Sequence, residues 1–167
     1  FRAGGKTLLR VSHLRQHEIS AKLSNALFES IDAALPDTDL LVFSDFNYGC
    51  LPQALVDRTI AAAAKRDIVM VADSQASSQL SDISRFRGMK LVTPTEREAR
   101  LALHDQSSGL ASLAEALRNR ARAENVVITM GSEGILVHAR NSEDWTTDQL
   151  PSFNTAPKDT AGAGDSF

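Results

Sequence analysis

Cysteine is almost missing from this 167-residue chain: Cys50 stands alone. A single thiol excludes an intramolecular disulfide framework and suits a reducing, cytoplasmic compartment. No apolar run approaches the ~18 residues that a membrane helix needs, which excludes a transmembrane helix. Neither charge dominates, since 18 Lys and Arg face 21 Asp and Glu for a net −3. That balance argues against a dedicated binder of nucleic acid or of anionic membranes. The histidines at 13, 17, 104 and 138 lack metal-ligand spacing and read as structural or exposed. There is no internal repeat and no low-complexity tract. Phe1-Arg2-Ala3 carries neither an initiator Met nor the hydrophobic core of a signal sequence, and Phe167 stops where a glycine-rich turn should lead into a helix. The chain therefore reads as a piece of a longer protein. What is present is an ordinary soluble composition, 43% hydrophobic and 23% charged, enough for one domain or most of one.

The apolar positions supply the elements. Residues 6–14 mix β-branched and apolar residues and read as a strand. Ile19, Leu23, Leu27, Ile31 and Leu35 recur at helical spacing until Pro36 stops them. Leu40-Leu41-Val42-Phe43 is a continuous apolar run, the pattern of a strand buried on both faces. Pro52 suits the first turn of an Ala-rich helix that runs to Lys65-Arg66. Residues 68–72 form a second buried strand ending at Asp73, and 90–93 a third, closed by Pro94. Helices are expected at 96–103 and 110–123, with a fourth strand at 125–129. Gly131 and Gly134 turn the chain into Ile135-Leu136-Val137 as a hairpin. Stretches 74–81 and 141–144 read as surface loops. Strand–helix alternation of this kind specifies an α/β fold whose mostly parallel central sheet is covered by helices.

In open α/β sheets, ligands bind beyond the carboxyl ends of the strands. That rule singles out Asp45, Asp73, Glu98, Thr129 and Gly131, a candidate metal and phosphate region. The plainer readings are that Asp45 and Asp73 cap loops or helices and that Glu98 lies on a solvated helix face. Cys50 reads as a small packing residue and Trp145 as a core or edge anchor. The sharpest segment is Asp159-Thr160-Ala161-Gly162-Ala163-Gly164-Asp165. Two glycines around a small residue let backbone approach a ligand closely. If a helix begins there, several unpaired N–H groups point at one spot, an anion hole suited to a transferring phosphoryl group. Asp165 beside it is a candidate general base for an attacking alcohol.

Residues 159–165 resemble, at every fixed position, the D-T-x-G-A-G-D signature of the PfkB/ribokinase family of carbohydrate kinases. Thr93-Pro94-Thr95-Glu96-Arg97-Glu98 resembles the family's T-P-N-x-x-E, with Thr95 in place of the asparagine. Val127-Ile128-Thr129-Met130-Gly131-Ser132-Glu133-Gly134 is similar to its V-T-x-G-x-x-G element. Ser44-Asp45-Phe46-Asn47-Tyr48-Gly49 and Arg85-Phe86-Arg87-Gly88 look nearest to the kinase domain of heptose-phosphate kinase/ADP-heptose synthase type enzymes. Tyr48, however, replaces a lysine, and Asp73-Ser74-Gln75 replaces D-P-K.

The resemblance implies a ribokinase-like three-layer α/β/α fold, present as a partial kinase domain over 1–167 with 39–167 as its core region. It implies transfer of the γ-phosphoryl group of ATP to a hydroxyl of a sugar or sugar phosphate. Asp165 would be the base, Thr160, Ala161, Gly162, Ala163 and Gly164 the phosphate-binding anion hole, and Thr129, Gly131 and Gly134 the nucleotide contacts. Glu98 and Asp73 would place Mg²⁺ through water, because magnesium keeps several waters. Asp45 would touch the substrate. Residues 6–15 would form a lid or dimer strand, which allows a homodimer. Sugar contacts upstream and the rest of the adenine pocket downstream would leave this piece inactive alone. Two other readings stay open: a non-catalytic nucleotide- or sugar-binding regulator on the same fold, and a dinucleotide-dependent oxidoreductase. The G-x-G-x-x-G turn of the latter normally follows the first strand, whereas Gly162-Ala163-Gly164 comes last.

Overall fold

Ser20 starts the first helix, its hydroxyl accepting from the Leu23 N–H at 3.3 Å. In the computed structural model, which describes residues 2–3, 6–7, 17–74 and 82–153, that helix is α1 (Ala21–Ala34). Pro36 sits in the short turn that follows, Leu35–Asp37. A small antiparallel ribbon, β1 (Arg2–Ala3) and β2 (Lys6–Thr7), precedes it. Lys6 and Thr7 thus meet the expectation of a strand, and residues 8–16 lie outside the described ones.

The main sheet has six strands in the sequential order β3 (Leu40–Asp45), β4 (Val69–Ser74), β5 (Leu91–Val92), β6 (Asn125–Thr129), β7 (Ile135–Asn141) and β8 (Asp144–Leu150). The first four are parallel, and β7 and β8 are antiparallel additions. The helices between them are α2 (Gln53–Ala64), α3 (Glu96–Leu103) and α4 (Leu110–Ala121). A parallel sheet growing steadily in one direction through right-handed crossovers puts its connecting helices on one face. The register shows which face that is. Phe43 pairs with Ala72, Ala72 with Val92, Val92 with Val126 and Val126 with His138, and all five are buried. The four apolar ones pack against Val56, Ala63, Ala99, Leu113 and Leu117 of the helices. Phe86 closes the core, its ring centroid 5.2 Å from that of Phe43.

Three expectations are corrected. Leu40 and Val42 are each 51% exposed, so β3 is not buried on both faces. It is one of the two edge strands of the sheet among the described residues, and alternate residues point to the face opposite the helices of the described region. Cys50 is exposed rather than packed. Residues 141–144 lie at the surface as expected, as the exposed tip of the β7–β8 hairpin, where Ser142 takes a φ of +53°. The last helix ends slightly early, at Ala121, with Arg122 in the left-handed region.

Candidate active site

The carboxyl ends of β5 and β6 are joined by backbone. Thr129 donates its N–H to the Pro94 carbonyl at 2.9 Å, and Thr95 bridges Thr129 in parallel. Thr95 also caps α3. Its hydroxyl accepts from the Glu98 N–H at 3.2 Å, while Glu98 Oε2 accepts from the Thr95 N–H at 2.7 Å. This reciprocal capping box satisfies two N–H groups that a helix start leaves without partners. It also answers why Thr can stand at 95: the hydroxyl is a sound N-cap acceptor. Glu98 is therefore buried, at 6% exposure, and not on a solvated face. A carboxylate offers about four lone-pair sites, so the cap does not exhaust it.

Beside this junction lies a cavity of about 670 Å³. Its lining includes Thr95, Arg97 and Arg100 from the α3 side and Thr129, Met130 and Gly131 from the β6 side. Arg100 is already committed, donating to Glu96 Oε1 at 2.8 Å and to the Ser108 carbonyl at 3.1 Å. Thr129 and Gly131 thus line one cavity together. Gly134 is buried away from that lining, at φ +94°, against the backbone of Leu150 to Ser152.

The other candidates are placed differently. Asp73 lies at the carboxyl end of the neighbouring β4 and accepts from the Thr93 hydroxyl at 3.1 Å. Asp45 points to the helix-covered face and is 4% exposed. Its Oδ2 accepts from Arg85 Nη2 at 2.6 Å and its Oδ1 from the Asn47 N–H at 2.9 Å. Arg85 further donates to the Leu51 carbonyl at 3.1 Å and lies 4.4 Å from the Phe86 ring centroid. The two motifs around Asp45 and Arg85 are therefore one buried ion pair. Among the described residues no three His, Cys, Asp or Glu side chains are grouped to hold a metal ion. Thr160, Ala161, Gly162, Ala163, Gly164 and Asp165 lie outside the described residues.

Sequence reasoning passed over Arg97. The available signal was a cation in the first turn of a helix, where the macrodipole disfavours positive charge.

The chain is 28% identical to the bifunctional protein HldE of Pelobacter propionicus over 167 residues, 98% of this chain and 33% of that protein. It is also 28% identical to the HldE protein of Syntrophotalea carbinolica, covering 98% of this chain and 32% of that one. The chain thus spans about a third of the length of the curated relatives it matches. Phosphofructokinase-2 from Escherichia coli in complex with potassium shares the fold, with a TM-score of 0.68 at 23% identity over 89% of this chain and 47% of that one. Ribokinase from Giardia lamblia does so with a TM-score of 0.62 at 22% identity over 84% of this chain and 44% of that one. The ribokinase-like fold is thereby established. The model of the pfkB family carbohydrate kinases matches residues 11–167, and the chain belongs to that family.

Proposed function

We propose that this chain is the catalytic core of an ATP-dependent phosphotransferase that moves the γ-phosphoryl group to a hydroxyl of a sugar or sugar phosphate. The observation that carries the reading is the cavity at the carboxyl ends of β5 and β6, flanked by Thr129, Gly131 and the start of α3. Its volume lies in the range of nucleotide and cofactor sites, roughly 300–1,000 Å³. It sits where open α/β sheets bind ligands. Asp73 and Glu98 are oxygen donors of the kind that suits hydrated Mg²⁺, which needs only one or two carboxylates beside the donor phosphates. Mg²⁺ bound there would neutralise charge on those phosphates.

In this reading the acceptor alcohol attacks the γ-phosphorus as the bond to the β-phosphate oxygen breaks. The alcohol's proton passes to the Asp165 carboxylate, and ADP leaves. Backbone N–H groups of Ala161, Gly162, Ala163 and Gly164, with Thr160, hold the charge that develops on the transferring group. Thr129 and Gly131 shape the nucleotide side, Gly134 holds the turn behind them against the backbone of Leu150 to Ser152, and Asp45 supports the substrate side through its pair with Arg85. A cytoplasmic setting suits the lone, exposed Cys50 and the use of ATP, and residues 6–15, which begin with β2, are the candidate lid or dimer strand.

Steady-state kinetics of the full-length protein with ATP and a panel of sugars and sugar phosphates tests the reading. General-base catalysis typically contributes ~10²–10⁴-fold, so Asp165→Asn should lower kcat by about that much with little change in KM for ATP. A variant that keeps wild-type kcat while chemistry is rate-limiting removes Asp165 as the base. Binding of nucleotide and sugar with no turnover in the wild type would make the protein a regulator instead.

A further inference from the structure

We infer that Arg97 is a phosphate-positioning residue, holding the terminal phosphates of the donor nucleotide; this rests on the nucleotide reading of the same cavity. Arg97 is exposed on the cavity wall contributed by α3, with Thr129 and Gly131 on the wall contributed by the β6 end. Of the two arginines that line the cavity, Arg100 is tied to Glu96 and to the Ser108 carbonyl. Arg97 has no hydrogen-bond or ion-pair partner among the described residues. A guanidinium offers five N–H donors in a rigid fork that matches phosphate oxygens two at a time and stays charged at any working pH.

Helix stability does not account for this residue. The first turn of a helix favours anions, and α3 has Glu96 and Glu98 there, flanking Arg97. Nor does burial account for it, because the side chain is exposed. A cation kept against the dipole, without a partner among the described residues and on the wall of a cavity, is arranged for an anion that arrives from outside. The site needs one. Tyr48 and Gln75 stand where the related pattern carries lysines, so neither supplies positive charge to a phosphate-bearing ligand. The Mg²⁺ that Glu98 and Asp73 would hold offsets part of the charge of a triphosphate, and a fixed guanidinium on the facing wall would offset more of it.

The test is calorimetric titration of the full-length protein and of Arg97→Gln and Arg97→Lys with ATP, ADP and AMP. A charge-assisted phosphate contact corresponds to about a 10–100-fold change in affinity. Arg97→Gln should weaken ATP by that factor and AMP by no more than about twofold on the same grounds, with Arg97→Lys recovering part of the loss. The salt dependence of ATP binding should flatten in Arg97→Gln. Equal loss for ATP and AMP, or no loss for either, overturns the assignment while leaving the kinase reading intact if turnover persists. Failure of the wild type to bind any nucleotide overturns both.

Discussion

Gly131 and Gly134 stand three residues apart in one turn, yet the structure asks different things of them. Both have positive φ, +59° and +94°. A Cβ at 131 would meet nothing within 4 Å, whereas one at 134 would lie 2.0 Å from the Leu150 carbonyl oxygen and 2.7 Å from the Pro151 carbonyl carbon. Gly131→Ala should therefore cost only the left-handed penalty, about 1–2 kcal/mol. Gly134→Ala forces backbone apart as well and should cost about 3 kcal/mol or more. Urea unfolding midpoints of the two variants decide this, and equal costs would refute it. If Gly131 lies on the nucleotide wall, its alanine variant should also weaken ATP binding more than it weakens the fold. The pairing of glycines was legible in the sequence; that one faces a cavity and the other faces Leu150 was not, because β8 had not been foreseen.

At the scale of elements, the hairpin β7–β8 and α4 are locked by one polar cluster. His138 is buried in β7 with Nε2 2.8 Å from Glu115 Oε2 and Nδ1 2.8 Å from the Thr147 hydroxyl. An ionised carboxylate only accepts, so Nε2 donates to Glu115. Arg118 donates twice to Glu115, at 2.8 and 3.1 Å, and lies 3.9 Å from the Trp145 ring centroid. Trp145 Nε1 donates to the Glu124 carbonyl at 3.0 Å, which makes it the edge anchor its sequence position suggested. The Arg118 hydrogen bonds, followed by those of Asn119 and His138, bring the Glu115 pKa from 4.5 down to about 2. The unfolded chain therefore binds the proton first on acidification. Glu115 contributes stability that is complete above about pH 5 and is lost as the pH falls through 4.5 towards 2. Thermal melts across that range should show wild type and Glu115→Gln converging, and added salt should shrink the difference because the carboxylate is 44% exposed. Parallel curves would remove Glu115 as a source of acid lability. The parallel strands were readable in the sequence because Leu40-Leu41-Val42-Phe43, Val69-Met70-Val71-Ala72 and Val126-Val127-Ile128 are apolar runs. Asp144-Trp145-Thr146-Thr147-Asp148-Gln149-Leu150 was not, since an edge strand exposed along most of its length needs no apolar period.

Across the whole molecule, the site end of the sheet depends on a tie between distant segments. Asp45 closes β3 and Arg85 precedes β5, 40 residues later, and their side chains meet at 2.6 Å with exposures of 4% and 17%. The sequence offered both as separate motifs, and spacing alone could not say that the aspartate spends its charge on the arginine. Removing one partner of a buried pair leaves the other charge uncompensated and costs about 3–5 kcal/mol. Arg85 keeps the Leu51 carbonyl as a partner at 3.1 Å, so Asp45→Ala should fall near the lower end, about 3 kcal/mol. Arg85→Met removes the charge but retains much of the apolar stem that packs on Phe86. The double variant should then be more stable than the sum of the singles predicts, with a coupling of about 1–3 kcal/mol. Guanidinium unfolding of the four proteins measures the cycle. If the losses simply add, Asp45 and Arg85 do not hold the strand ends together. The same cycle separates structure from substrate contact in the full-length enzyme. A sugar KM that rises in Asp45→Ala and returns in the double variant reports a displaced site, whereas a KM that stays high in both reports direct contact between Asp45 and the acceptor.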